Sequence, residues 1–219
     1  MKKIAPFFLL FIILSCGSDD NDLVETYEER ATTVLNKSPE ANPLEDSSLF
    51  FSNLSYGSAE RNTYDIFLPK DGAPIGVVLF FHGGSFLFND KSDTYEAPFD
   101  DIIKSLLSQK VAIVNANYSY LTSPNSEGVI TSLSDGTLLL NHIRSIASSI
   151  DIDVNKMILG GASSGAGIAL WNGLQAEHNA GVIGVVAIET QSTYNLYDWE
   201  PLFMDLSIDT ITQSSTEFQ

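Results

Sequence analysis

The chain has 219 residues, of which 44% are hydrophobic and 18% are charged, a composition typical of a globular protein. Its formal net charge of −17 at pH 7 disfavours nucleic acid and other anionic polymers as partners, because a strongly negative surface repels them. The single cysteine excludes a disulfide within the molecule.

The first sixteen residues have the organisation of a secretory signal. Lys2 and Lys3 precede an apolar run at residues 4–14, and Ser15 and Cys16 follow it. Eleven residues of helix span about 16 Å, too short to cross a hydrocarbon core of about 30 Å. Residues 13–16, Ile-Leu-Ser-Cys, resemble the bacterial lipobox, and a signal peptide with an incidental cysteine is the alternative. We therefore expect residues 1–15 to be removed and Cys16 to carry a lipid that anchors the protein in the bacterial envelope, either in the outer membrane or at the cell surface.

Residues 16–45 are predicted to form a tether and a linker. The acidic residues that follow Cys16 cannot pack into a core, and they resemble the export signal of surface lipoproteins in some Gram-negative bacteria. An ordinary linker fits equally well. Helical spacing of apolar residues predicts a short surface helix at residues 22–36. We expect one folded domain at residues 46–219.

The central part of the chain alternates between strand-like and helix-like segments. Two β-rich runs flank a Gly-Ser-Ala-Glu turn and predict an antiparallel hairpin. The segments that follow predict a mostly parallel, doubly wound α/β sheet. The predicted strands are residues 49–56, 62–68, 76–81, 111–116 and 181–188, and the main predicted helices are residues 91–109 and 131–150.

Ser163 is the centre of Gly-Ala-Ser-Ser-Gly, which matches the pattern G-x-S-x-G between a predicted buried strand and a helix. In a nucleophile elbow this turn is so tight that Gly161 and Gly165 leave the only room available, and the serine hydroxyl is exposed above the helix N-terminus. An ordinary turn rich in small residues gives the same pattern. The pentapeptide alone therefore leaves both interpretations open.

A second motif, His82-Gly83-Gly84, ends the apolar run at residues 76–81. Two glycines let backbone N–H groups point into open space, as an oxyanion hole requires. Because the carboxyl ends of parallel strands share one edge of a sheet, this loop and Ser163 can meet although about eighty residues separate them.

The paired motifs and the order of the elements resemble the α/β-hydrolase fold, and within it the esterases and lipases with a His-Gly-Gly oxyanion loop. The resemblance covers residues 49–190. It implies hydrolysis of an ester, either a small molecule or one linked to a polysaccharide, without a metal or another cofactor. A non-catalytic surface lipoprotein that uses the fold for binding is the alternative.

The same resemblance implies a role for each motif residue. Ser163 would be the nucleophile, and the backbone N–H groups of Gly83, Gly84 and Ser164 would form the oxyanion hole. His82 would brace the loop through hydrogen bonds to the backbone.

The family places its acid and histidine after the nucleophile, and no histidine of this chain is expected to serve as the base. His142 is predicted to pack inside a helix that precedes the serine, and His178 is predicted near the end of the elbow helix, far from Ser163. Glu189 ends the strand after the elbow, where some lipases of this fold place their acid, although a loop carboxylate is the more common interpretation.

The family normally adds two more strands after residues 181–188. We therefore expect this sequence to be the N-terminal part of a longer hydrolase, inactive by itself and with an exposed sheet edge. The aromatic-rich residues 190–219 resemble the start of a cap over the active site.

Overall fold

The computed structural model describes residues 25–191 and residue 194. The predicted signal, Cys16, the acidic residues after it and most of the cap-like segment lie outside the described residues. The described strands are β1 (Leu49–Ser55), β2 (Thr63–Leu68), β3 (Gly76–Phe81), β4 (Val111–Ala116), β5 (Met157–Ala162) and β6 (Val182–Ile188). The described α-helices are α1 (Tyr27–Leu35), α2 (Phe99–Ser108), α3 (Val129–Ala147) and α4 (Ser164–Leu174), with 3-10 turns at Lys91–Tyr95 and Ser148–Ile150.

The six described strands form one sheet in the order β1-β2-β4-β3-β5-β6. Strand β2 pairs antiparallel with both β1 and β4, whereas β4, β3, β5 and β6 are parallel to one another. The predicted hairpin and the predicted mostly parallel sheet are both confirmed. Strands β3 and β5 are neighbours, so the loops after Phe81 and Ala162 leave the sheet side by side.

Helices cover the two faces of the sheet unequally. Side chains of α1, α3 and α4 pack on one face in a large core that includes Leu79 of β3 and Val114 of β4. Helix α2 packs on the other face, where Ile103 and Leu107 contact Val78 and Ile113 in a smaller core. Alternate residues of one strand therefore belong to different cores, as the two-residue period of a strand requires.

Two predicted elements differ from the structure. The helix expected at residues 91–109 is divided into a 3-10 turn and α2, because Pro98 has no N–H and its ring clashes inside a helix. The described part of the predicted linker belongs to the domain, since Ala31 and Leu35 are buried in the larger core and Glu40 pairs with Phe50 as an isolated bridge.

Within residues 25–191, no helix has the length and apolar character needed to cross a membrane. The same residues contain no cluster of histidine, cysteine and carboxylate side chains that could hold a metal ion.

Candidate active site

Ser163 lies on the sharp turn between β5 and α4, with its residue exposed to solvent. Its backbone has φ 51° and ψ −118°, a conformation that costs a non-glycine residue about 1–3 kcal/mol. The surrounding backbone holds this conformation. The Ser163 N–H donates to the carbonyl oxygen of Ile188 at 2.8 Å, and the Ser163 carbonyl accepts from the Gly167 N–H at 3.2 Å.

Small residues at 161 and 165 allow the turn to close. A Cβ atom at Gly165 would collide with the carbonyl oxygens of Phe81 and His82, and one at Gly161 would collide with the backbone of Gly165. The first turn of α4 therefore packs directly on the end of β3. Close packing at this point brings the elbow against the loop that follows β3.

The loop after β3 reaches Ser163 through Gly83. A Cβ atom built on Gly83 would lie 3.4 Å from the Cβ atom of Ser163 and 3.2 Å from the carbonyl oxygen of Ala162. Gly84 has φ +122°, and a side chain there would also collide with the carbonyl of Phe88. Only glycine fits both demands. The His82-Gly83-Gly84 loop and the turn at Ser163 therefore lie together, as expected for loops that follow parallel strands.

Two inward hydrogen bonds fix the peptide groups of this loop. The Tyr118 hydroxyl donates to the carbonyl oxygen of His82 at 2.9 Å, and His82 Nδ1–H donates to the carbonyl oxygen of Gly83 at 2.5 Å. In a planar trans peptide the N–H points opposite to the C=O. The N–H groups of Gly83 and Gly84 are therefore directed away from these donors, and no described residue accepts a hydrogen bond from either of them.

Ser164 is the first residue of α4 and is 2% exposed. Its N–H has no acceptor within the helix, because the first N–H groups of any helix lack an intrahelical partner. Its hydroxyl lies 3.0 Å from the Tyr118 hydroxyl. The Ser164 N–H is thus left without an acceptor in α4, while its side chain contacts Tyr118.

His82 is 2% exposed and is held on both sides of its ring. With Nδ1 protonated, Nε2 accepts from Arg61 Nη2 at 3.3 Å, and the ring stacks on Tyr118 with centroids 4.5 Å apart and planes at 19°. Burial lowers the pKa of His82 to about 4, because it penalises the charged imidazolium. The imidazole is therefore neutral at pH 7.

Arg61, in the turn between β1 and β2, connects three segments near the loop. Besides His82, its guanidinium donates to the carbonyl oxygens of Tyr118 at 2.9 Å and Asn89 at 3.2 Å, and it lies 3.7 Å from the centre of the Tyr120 ring. Neither Arg61 nor Tyr118 was predicted as a site residue, since no local motif marks them.

No imidazole among the described residues is hydrogen-bonded to the hydroxyl of Ser163. His142 packs against Tyr64, whose hydroxyl lies 3.1 Å from Nε2, in agreement with the predicted packing role. The predicted position of His178 in the elbow helix is wrong, because α4 ends at Leu174 and His178 lies in the turn that follows. Glu189 directly follows β6 and is exposed.

Residues 64–211 match the profile of the family described as BD-FAE, an α/β-hydrolase-like family of esterases. The match covers more than half of the chain and includes the elbow and the His-Gly-Gly loop. This chain belongs to the BD-FAE family. No curated protein matches it.

Solved structures confirm the α/β-hydrolase fold predicted from the sequence. Esterase B from Lactobacillus rhamnosis aligns over 78% of this chain and 58% of its own, with a TM-score of 0.60 and 17% identity. A candidate thioesterase from Silicibacter sp. TM1040 aligns over 93% of this chain and 72% of its own, with a TM-score of 0.54 and 21% identity. Esterase 2 of Thermogutta terrifontis aligns over 72% of this chain and 60% of its own, with a TM-score of 0.52 and 15% identity. The chain thus spans less than two thirds of each of the two esterases.

Proposed function

We propose that this protein is a serine hydrolase that cleaves carboxylic esters, with Ser163 as its nucleophile. One observation carries the proposal: an exposed serine on a strained turn adjoins a glycine loop whose N–H groups have no acceptor among the described residues. An ordinary turn rich in small residues needs neither the strain nor the neighbouring donors. Membership of the BD-FAE family supports the same conclusion.

The proposed reaction begins when the Ser163 hydroxyl oxygen attacks the ester carbonyl carbon. Negative charge then develops on the carbonyl oxygen, and the N–H groups of Gly83, Gly84 and Ser164 stabilise it. One such donor is worth about 2.7–4 kcal/mol of transition-state stabilisation. Collapse of the intermediate releases the alcohol, which takes up the serine proton, and water hydrolyses the remaining acyl-enzyme.

The general base is the part of the mechanism that these residues do not supply. The sequence has three histidines, of which His82 is engaged by Arg61 and Gly83, His142 faces Tyr64, and His178 follows the far end of α4. We propose that a base other than these three histidines takes the proton of Ser163. By itself the 219-residue chain should turn over substrate very slowly.

Neutral or weakly charged esters are the proposed substrates, either as small molecules or linked to a polysaccharide. The formal charge of −17 repels anionic polymers over the length of a Debye screening layer, so it favours uncharged partners.

Hydrolysis of a p-nitrophenyl acetate probe by the full-length natural protein tests the proposal. Ser163→Ala should lower kcat by at least about 10³-fold, because the nucleophile is removed. Ser105→Ala, on the exposed side of α2, is a matched control and should keep the wild-type rate. Full activity of Ser163→Ala would disprove the assignment. A wild-type protein without hydrolysis would favour the non-catalytic binding function.

We also propose that Cys16 is the lipidated N-terminus and that the protein is anchored in the bacterial envelope. Support comes from the lipobox-like residues 13–16 and from the absence of another cysteine in the sequence. Metabolic labelling with a fatty-acid analogue should disappear in Cys16→Ala. Incorporation that persists in this variant would show that the lipid, if any, is attached elsewhere.

A further inference from the structure

Tyr118 is a buried side chain between the two segments that carry the proposed oxyanion donors. It lies just after β4 and is fully buried, and its hydroxyl contacts both of these segments. On one side it reaches the carbonyl oxygen of His82 at 2.9 Å, and on the other it reaches Oγ of Ser164 at 3.0 Å. One hydroxyl therefore joins the residue before Gly83 to the residue after Ser163.

The protons of this contact can be assigned without conflict. Burial raises the pKa of the Tyr118 hydroxyl, so the group keeps its proton. A carbonyl can only accept, so the tyrosine proton goes to the nearer carbonyl oxygen, that of His82 at 2.9 Å rather than that of Gly83 at 3.5 Å, and the Ser164 hydroxyl donates to the tyrosine oxygen. Every polar atom of this buried hydrogen-bond network then has a partner, which is the condition under which such a network holds its geometry.

The hydrogen bond to His82 fixes the direction of one proposed oxyanion donor. The His82 carbonyl and the Gly83 N–H belong to the same planar peptide group and point in opposite directions. By holding the carbonyl, Tyr118 fixes the opposite direction of the Gly83 N–H, and its contact with Ser164 ties this peptide group to the elbow. Glycine has no side chain that could resist rotation of this peptide group, so an external restraint is needed.

The backbone of Tyr118 is itself held in place. Its carbonyl oxygen accepts from Arg61 Nε at 2.9 Å, and its ring stacks on the His82 ring. These contacts do not involve the hydroxyl. Replacing tyrosine with phenylalanine therefore removes all hydrogen bonds of the hydroxyl and keeps the packing.

We propose that the Tyr118 hydroxyl is a positioning group that sets the direction of the Gly83 N–H and its separation from the Ser163–Ser164 elbow. This inference rests on the proposed esterase function. Oxyanion donors act within a narrow range of about 2.7–3.1 Å, and a site loses rate when its supporting groups let it loosen by about 1 Å. The hydroxyl should therefore affect kcat more than substrate binding.

The first test compares Tyr118→Phe with Tyr64→Phe in the full-length natural protein. Tyr64 is equally buried, and its hydroxyl contacts His142 on the edge of the core, away from the elbow. Tyr118→Phe should lower kcat for p-nitrophenyl acetate about tenfold or more and change KM less than about twofold. Tyr64→Phe should keep the wild-type kcat. An unchanged kcat in Tyr118→Phe would overturn the proposal, as would equal losses in the two variants.

Ser164→Ala provides a second test, because it removes the serine hydroxyl and keeps the backbone N–H. The double variant Tyr118→Phe/Ser164→Ala should lose no more activity than Tyr118→Phe alone, since the two hydroxyls act through one hydrogen bond. Losses that simply add would show that the two side chains act independently and would contradict the inference.

Hydrogen exchange separates this inference from the esterase assignment. The N–H groups of Leu87 and Phe88 donate to the Gly84 carbonyl at 2.8 and 3.1 Å, so their exchange reports opening of the loop. In the 219-residue chain they should exchange at least about fivefold faster in Tyr118→Phe than in Tyr64→Phe. Equal rates would overturn the positioning role. A wild-type protein without hydrolysis but with this difference would contradict the esterase assignment alone.

Discussion

At the scale of single residues, His82 is the most constrained group beside the proposed oxyanion hole. Its Nδ1–H donates to the Gly83 carbonyl while Nε2 accepts from Arg61, and the second contact requires the neutral ring. Protonation would place a second positive charge next to the Arg61 guanidinium. The imidazole is therefore a structural part of the loop, unsuited to take a proton during catalysis.

The pKa of His82 predicts a loss of stability in mild acid. Burial lowers the pKa to about 4 in the folded protein, against about 6.5 in an unfolded chain. Between these values the unfolded chain binds a proton that the folded one does not, so stability falls as pH decreases from 6.5 towards 4. The full effect is about 3 kcal/mol, of which about 2 kcal/mol is lost between pH 7 and pH 5.

Urea unfolding of wild type and His82→Gln at both pH values measures this effect. Glutamine cannot titrate, so the variant should lose less unfolding free energy than wild type between pH 7 and pH 5, and the difference should be about 2 kcal/mol. Carboxylates that titrate in the same range contribute equally to both proteins. The same pH dependence in the two proteins would show that His82 titrates normally.

Sequence patterns could find the residues of the site that lie within short motifs. Ser163 and Gly83 belong to patterns in which residue type and spacing follow directly from a tight turn or an exposed N–H. Arg61 and Tyr118 could not be found in this way. Each acts through contacts with residues more than twenty positions away, and an arginine in a hairpin turn or a tyrosine after a strand has many ordinary roles.

At the scale of elements, the contact between the start of α4 and the end of β3 brings the two motifs together. Gly165 is the residue that permits it, because a Cβ atom there would meet two backbone carbonyl oxygens that cannot move independently. The strand order explains why these two elements are neighbours, and the glycine explains how closely they approach.

Gly165→Ala should therefore destabilise the protein by about 2 kcal/mol or more, as overpacking against the backbone does. Gly184→Ala is a matched control, because Gly184 lies in β6 and a Cβ atom added there would have no other atom within 4 Å. That change should be neutral or slightly stabilising, since alanine restricts the unfolded chain. Chemical denaturation of both variants measures the difference. Equal stabilities would mean that α4 and β3 can move apart at little cost.

Element types were predicted more reliably from the sequence than element boundaries. Runs of β-branched and aromatic residues gave the described strands, because a strand buried on both faces needs apolar side chains throughout. The helix at residues 91–109 was predicted too long, since its apolar spacing continues across Pro98. Burial of α1 against the larger core was missed, because an amphipathic helix looks the same in sequence whether it covers a core or lies on a free surface.

At the scale of the whole molecule, the sheet has one well-covered face and one less covered face among the described residues. Helix α2 covers the second face only in part and leaves an apolar groove of about 280 Å³ beside it. Val186 and Ile188 of β6 form one wall of this groove, and Phe80 and Phe99 form another part of it. The candidate active site lies elsewhere, at the ends of β3 and β5.

The same fold is indicated by the family match, by the sheet order and by the backbone geometry at Ser163, although each of these depends on different residues. The match begins at residue 64 and does not need the precise position of any side chain, whereas the turn at Ser163 depends on a few backbone contacts. Agreement of this kind is expected when local sequence and overall fold specify the same structure.

Covalent labelling by a fluorophosphonate probe tests the central proposal most directly. In the full-length natural protein, mass spectrometry should find the phosphonyl group on the peptide that contains Ser163, and Ser163→Ala should remove it. The 219-residue chain should react slowly or not at all, because no described histidine reaches the serine. An adduct on another residue, or an unlabelled wild-type protein with its fold intact, would contradict the assignment of Ser163 as the nucleophile.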